Sequence, residues 1–366
     1  MRILILSASV GAGHVRAAQA LELELRRAAP TATIAHHDVL TLMPPAFGRV
    51  YRDGYFDLVA RAPQLLGWLY DATDKPFHKK RLQQDIERVS AVKLLKMIRE
   101  FDADIAVCTH FLAPALLQRE RRKGRGRARI VTVVTDFEIH GMWLGAESDH
   151  YFVATEEART HLEALGVAPA TITVSGIPTH PVFAENKDQA AMRRKYGLQE
   201  DIPTILVSPG GFDTANARRL LDALTGADLP AQIIAACGRN LGLHAAIDEA
   251  TGGNPLVKTV GFTTDMDEYM AASDLMIGKP GGLTTSESLV KGLAWVVVNP
   301  IPGQEERNAI YLLENGAGVW CNNLHTLPFK VRTVLREPSR LQAMRASSLR
   351  LGRPDAGAVI AHALLE

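Results

Sequence analysis

Short apolar runs alternate with helix-patterned stretches along most of this chain, and that alternation leaves few folds open. Strands that follow one another only after a helical crossover pair in parallel and need helices on both faces. The first half places strands at Arg2–Ser7, Ala32–His36, Ile105–Thr109, Ile130–Thr135, His150–Ala154 and Thr171–Val174. The pattern then restarts at Thr204–Val207, Gln232–Ala236, Val257–Gly261, Asp274–Ile277 and Trp295–Val298. Between them Val174–Pro181 carries two prolines and a glycine and reads as a linker. A length of 366 residues suits two domains. The expectation is an α/β protein with an N-terminal domain over 1–176, a linker over 177–186, a second domain over 187–345 and a helical tail over 346–366. Two nucleotide-fold-like halves would then face each other across a cleft.

The chemistry concentrates at strand ends. An apolar strand runs into Gly278-Lys279-Pro280-Gly281-Gly282, and Leu283 begins an amphipathic helix with Thr284 in its first turn. Backbone N–H groups freed by a glycine turn at a helix start attract anions, aided by the helix dipole. Glu287, one turn further in, would repel a phosphate and makes better sense as an acceptor for a ribose diol. A polar cluster after the next strand, Gln304, Glu305 and Asn308, completes the outline of a nucleotide-sugar site. Ser208-Pro209-Gly210-Gly211-Phe212-Asp213 offers a further loop toward the diphosphate, and the backbone near Phe262 an edge for a uracil base.

In the first half, Ser7–His14 forms a Gly-x-Gly turn through Gly11 and Gly13 that enters a helix. The turn lacks the third glycine of a dinucleotide fingerprint. No acidic residue clearly placed for a ribose follows at the expected distance; Asp38 is a candidate but follows two histidines. A histidine at a helix start has its protonated form disfavoured by the dipole, which suits His14 to a general base; a solvent-facing first-turn residue is the plainer alternative. Asp136 and His140 follow the strand Ile130–Thr135, on the side where open α/β sheets bind ligands. They orient the base, bind an acceptor hydroxyl, or simply cap a turn. Asp136, His140 and His150 show no recognisable metal-ligand spacing.

A net charge of +1 argues against a general nucleic-acid binder. Cys108, Cys237 and Cys321 are widely spaced and read as reduced thiols of a cytosolic protein. No signal peptide or spanning apolar run is visible. Two segments nevertheless point toward a membrane surface. Leu42–Arg99 mixes Phe47, Tyr51, Trp68, Tyr70 and Phe77 with Lys79, Lys80 and Arg81, as either an ordinary packed helix pair or an interfacial element. Arg119–Arg129 is a basic run, either a solvated loop or an attractor of anionic headgroups.

Taken together, these residues resemble a known group. Ser7–His14 with Ala17-Ala18 is similar to the N-terminal signature of monogalactosyldiacylglycerol synthases and processive diacylglycerol glucosyltransferases. Gly278–Glu287 with Pro302–Asn308 resembles the C-terminal donor site of glycosyltransferase family 28, which includes the N-acetylglucosaminyltransferase that makes peptidoglycan lipid II. The likeness runs from the first strand to about Trp320. It implies a GT-B fold of two Rossmann-like domains, the first for acceptor and membrane and the second for a UDP-sugar. It also implies inversion at the anomeric carbon without a metal or other cofactor. By motif match His14 is the base, with Gly11 and Gly13 on the acceptor side. Glu287 is the ribose partner, Gln304 and Glu305 hold sugar hydroxyls, and Gly281 and Gly282 face the diphosphate. Gly210, Gly211, Phe262, Pro280, Leu283, Thr284 and Asn308 complete the donor side, although Ser208–Asp213 is shorter than the family's usual glycine-rich loop. The implied reaction moves a hexose from UDP-glucose or UDP-galactose to diacylglycerol or a related lipid. The enzyme would be cytoplasmic and peripheral on the inner face of the cell membrane. A UDP-sugar 2-epimerase and a non-catalytic UDP-sugar-binding module are the competing readings.

Overall fold

The computed structural model describes residues 1–75, 91–144, 146–209 and 214–366. It divides into two compact units. The first comprises Met1–Pro181, Pro302–Gln304 and Arg353–Glu366; the second comprises Val182–Ile301 and Glu305–Gly352.

The first unit is built on a parallel sheet of β1 (Arg2–Ser7), β2 (Thr33–Asp38), β3 (Ile105–Cys108), β4 (Arg129–Val133), β5 (His150–Val153) and β6 (Ile172–Val174), in the order β2-β1-β3-β4-β5-β6. Successive side chains of β1 point to opposite faces, as the strand's two-residue period requires. Ile3 and Ile5 pack with Leu21 and Leu25 of the helix Ala12–Ala28 and with Ile360 and Leu364 of the helix Ala356–Leu365. Leu4 and Leu6 pack on the other face against Leu94 and Ile98 of Val92–Phe101 and Leu116 of Leu112–Arg122. All four β1 side chains have no exposed surface. That double burial explains why the strand reads as a continuous apolar run.

The second unit repeats the plan with β7 (Thr204–Ser208), β8 (Gln232–Gly238), β9 (Val257–Gly261), β10 (Leu275–Gly278), β11 (Ala294–Val298) and β12 (Gly318–Cys321), in the order β12-β11-β10-β7-β8-β9. The sequence pattern anticipates eleven of these strands within a residue or two. β12 is the exception, because Gly318, Val319 and Trp320 are only half-buried and present no closed apolar run.

Strand order fixes where a ligand can enter. In an open parallel sheet the crevice opens where neighbouring strands send their crossovers to opposite faces, beyond the carboxyl ends. In the first unit that point lies between β1 and β3, and in the second between β7 and β10.

Candidate active site

At the first switch point, β1 ends at Ser7 and the chain turns through Gly11, whose φ of 142° suits glycine alone, into the helix Ala12–Ala28. His14 stands in the first turn of that helix. Its Nδ1 is 3.0 Å from the carbonyl oxygen of Thr109, the residue after β3, and 2.8 Å from Thr135 Oγ1. Thr109 also donates its hydroxyl to the His14 carbonyl at 2.9 Å, so helix start and strand end are tied in both directions. A carbonyl only accepts, so Nδ1 carries the hydrogen in this arrangement and Nε2 keeps its lone pair. Burial lowers the His14 pKa below its ordinary 6.5, while the Asp136 charge and the Thr109 carbonyl pull it part of the way back. Desolvation thus supplies the leading reason for a neutral imidazole, where the sequence pattern pointed to the helix dipole. The ring meets His110 edge-on at 4.7 Å and faces Trp143 at 6.2 Å.

Asp136 is 6% exposed. Its Oδ2 accepts from Trp143 Nε1 at 3.0 Å and its Oδ1 from Gln304 Nε2 at 2.8 Å, within the first unit. The carboxylate therefore acts on His14 as a fixed charge whose two oxygens are both held. His140 is engaged differently. Its Nδ1 accepts from the Met142 N–H at 3.1 Å, and its Nε2 lies 2.8 Å from the Tyr70 carbonyl. With both ring nitrogens on main-chain atoms and the Tyr70 ring 3.9 Å away, His140 fits a positioning role.

At the second switch point, Gly210 and Gly211 lie outside the described residues. β10 ends at Gly278, and Gly281 precedes the helix Gly282–Val290 without a side-chain cap, leaving the first-turn N–H groups for an outside acceptor. Asn308, fully buried, donates from Nδ2 to the Pro280 carbonyl at 3.0 Å and fixes the turn. Glu305 Oε2 accepts from the Ile301 N–H at 2.7 Å, and a Cβ at Gly281 would stand 3.6 Å from Glu305 Oε1. Glu287 is buried on the inner side of its helix, Leu283 is in the core, and Thr284 is half-buried. Phe262, just past β9, is 61% exposed, with the Arg239 guanidinium 4.2 Å above its ring. Glycine turn, buried carboxylate and exposed aromatic all come from carboxyl ends of strands in one sheet. Sequence pattern assigns no role to Thr109, His110, Thr135, Trp143 or Arg239. Strand-end threonines and a backbone carbonyl carry no sequence signature.

No grouping of three His, Cys, Asp or Glu side chains suited to a metal occurs among the described residues. Nor is any helix among them long and apolar enough to cross a membrane. The helices Pro45–Arg61 and Pro63–Thr73 expose Val50, Leu65 and Trp68. Phe77, Lys79, Lys80 and Arg81 lie outside the described residues. The basic run is partly neutralised: Arg121 pairs with Asp149, and Arg127 with Asp102 and Asp104 at 3.4 Å.

The two parallel six-stranded sheets, each with a strand-end crevice, define a protein of the GT-B fold. Residues 14–179 match the family model for monogalactosyldiacylglycerol (MGDG) synthase, and residues 206–358 match the glycosyltransferase family 28 C-terminal domain. The first half of the chain is thus similar to MGDG synthases and the second half to the C-terminal domain of glycosyltransferase family 28. It is 28% identical over 350 residues to a processive diacylglycerol beta-glucosyltransferase of Bacillus pumilus, covering 94% of this chain and 89% of the relative. The Bacillus subtilis protein of the same description is 28% identical over 372 residues, covering 100% and 95%. Among solved structures, Acinetobacter baumannii MurG superposes with a TM-score of 0.68 at 17% identity, covering 100% of this chain and 99% of that one. A Neisseria meningitidis UDP-GlcNAc 2-epimerase bound to UDP-GlcNAc gives 0.64 at 14% identity, covering 100% of both chains. Transferase and epimerase thus share this fold, and shape alone does not separate the two chemistries.

Proposed function

We propose that this enzyme moves a hexose from UDP-glucose or UDP-galactose to the hydroxyl of diacylglycerol or a related lipid, inverting the anomeric carbon. The observation that carries the reading is His14, whose Nδ1 is committed to the Thr109 carbonyl and whose Nε2 keeps a lone pair. In the reaction the acceptor hydroxyl gives its proton to Nε2 as its oxygen forms a bond to the anomeric carbon. The bond from that carbon to the β-phosphate oxygen breaks, and its electron pair leaves with UDP. Thr109 and Thr135 hold the imidazole, and Asp136 stabilises the imidazolium that forms. The second unit's glycine turn supports the charge growing on the diphosphate through backbone N–H groups, an oxyanion-hole type of assistance. Glu287 takes the ribose diol, and Phe262 with Arg239 frames the base. No metal or other cofactor enters this scheme.

The relatives' names as diacylglycerol beta-glucosyltransferases support a lipid acceptor. Exposed Val50, Leu65 and Trp68, with the uncompensated part of Arg119–Arg129, support work at an anionic membrane surface on the cytoplasmic side. The deciding experiment incubates the protein with each UDP-hexose and diacylglycerol vesicles in EDTA and reads the lipids by mass spectrometry. Lipids heavier by one or more hexoses are expected. Isomerised UDP-sugar without a glycolipid would establish the epimerase reading instead. Binding of UDP-sugar without turnover would leave a non-catalytic module.

A further inference from the structure

The turn that delivers His14 is held from β2 by side chains that touch neither of His14's own partners. Asp38, the last residue of β2, pairs in register with Ser7, the last residue of β1. Its Oδ1 accepts from the Ser9 N–H at 3.1 Å and from the Leu40 N–H at 3.0 Å. One carboxylate oxygen thus ties the glycine-bearing turn to the start of the 3-10 turn Val39–Leu42. Two residues earlier on β2, His36 Nε2 lies 2.8 Å from the hydroxyl of fully buried Ser7. The other ring nitrogen of His36 faces Glu22 Oε2 at 3.5 Å, and Glu22 is clamped by Arg26 on its own helix.

We propose that Asp38, seconded by the His36–Ser7 hydrogen bond, is a positioning residue that fixes the Ser7–Gly13 turn and thereby the imidazole of His14. The turn would otherwise be loose, because Gly11 lacks the side chain that narrows backbone freedom. Thr109 and Thr135 grip His14 from the β3 and β4 side, while Asp38 and His36 grip its approach from the β2 side. Asp38 Oδ1 is committed to these two main-chain donors. This inference rests on His14 being the base in the proposed reaction.

The test compares Asp38→Ala, Asp38→Asn and Ser7→Ala by two readouts. The first is side-chain ¹⁵N NMR of histidine-labelled protein, with the His14 signals identified by their loss in His14→Gln. The second is kcat and donor KM for lipid glycosylation. Asp38→Ala should shift His14 away from a single Nδ1–H tautomer and lower kcat about 10- to 100-fold, the scale of a misplaced catalytic group. Donor KM should stay within about twofold, because the donor groups belong to the second unit. Asp38→Asn keeps an acceptor for Ser9 and should restore most of both readouts. Ser7→Ala should move them in the same direction by less, and it serves if Asp38→Ala does not fold. Unchanged His14 signals in both Asp38→Ala and Ser7→Ala overturn the proposal, as does an Asp38→Asn variant as impaired as the alanine. A wild type that makes no glycolipid but shows the His14 shift in Asp38→Ala would fail the proposed function and leave the bracing intact.

Discussion

In the first unit the loop after β1 and the residue after β3 meet around an imidazole, whereas in the second the glycine turn after β10 leads into a helix that carries a buried carboxylate, Glu287. Both places are switch points of parallel sheets, so topology alone makes either a binding crevice. The difference lies in which part of the chain does the chemistry. In the proposed reaction the side chain of His14 is the reagent, and the backbone carbonyl of Thr109 fixes its tautomer. Around Gly281 the proposed reagent is the backbone, and the buried side chain of Asn308 fixes the turn. One fold therefore yields a proton acceptor or an anion cradle, depending on the residues at its strand ends.

If that division is real, the two sites should fail separately. His14→Ala should cut transfer about 10²–10⁴-fold, the usual cost of losing a general base, while calorimetry finds UDP affinity nearly unchanged. Near-normal turnover in that variant would move the base assignment to Asp136 or His140. Glu287→Ala should do the reverse and weaken UDP binding about 10- to 100-fold, as expected for lost hydrogen bonds to a charged group. That binding should not require magnesium. Intact UDP affinity in Glu287→Ala, or strict dependence on a divalent ion, would remove the carboxylate from the donor site.

Acid should separate the sites less drastically. His14 has its pKa lowered by burial, so the neutral form needed for proton acceptance persists below pH 6.5. The rate should hold from neutrality down past that value and then fall about tenfold per pH unit as the imidazole protonates, with the fall abolished in His14→Ala's residual activity. A profile that already declines above pH 7 would contradict a burial-lowered base. The smallest effect concerns the surface. Arg119, Lys123 and Arg125 have no ion pair among the described residues, whereas Arg121 and Arg127 do. Lys123→Ser and Arg125→Ser should each weaken sedimentation with anionic vesicles about fivefold, corresponding to about 1 kcal/mol per basic residue near the surface. Arg127→Ser should matter less. Equal binding to neutral vesicles would rule out an electrostatic contribution.

The frame is legible in the sequence because β1, β3, β4, β5, β7, β10 and β11 are buried on both faces and so are written as apolar runs. β12, half-exposed, leaves no such trace. Among the site residues, Gly11, His14 and Gly281 announce themselves because a glycine turn before a helix is a local pattern. Thr109, Thr135 and Trp143 reach His14 only through the parallel pairing of β1, β3 and β4, at sequence distances that no local pattern spans. Asp38 shows the same limit: its Leu40 donor is local, but its Ser9 donor lies in a loop that only the pairing of β1 with β2 brings to it. The basic run shows it for charge, since its neutralising partners Asp102, Asp104 and Asp149 sit on neighbouring strands and loops.

The helix Ala356–Leu365 completes the core that β1 and the His14-bearing helix begin, with Ile360, Ala361 and Leu364 packed among Ile3, Ile5 and Leu21. Residues synthesised first therefore wait for residues more than three hundred positions later before their shared core can close. During translation the second unit is made in between, so the His14-bearing helix should mature only after its counterpart has emerged from the ribosome. Ribosome-bound chains stalled before residue 356 should show a protease-sensitive first unit, and a first unit already resistant at that length would show that the late helix is an embellishment. If the dependence holds, a newly made chain sets the surroundings of His14 last, after the whole of the second unit is already made.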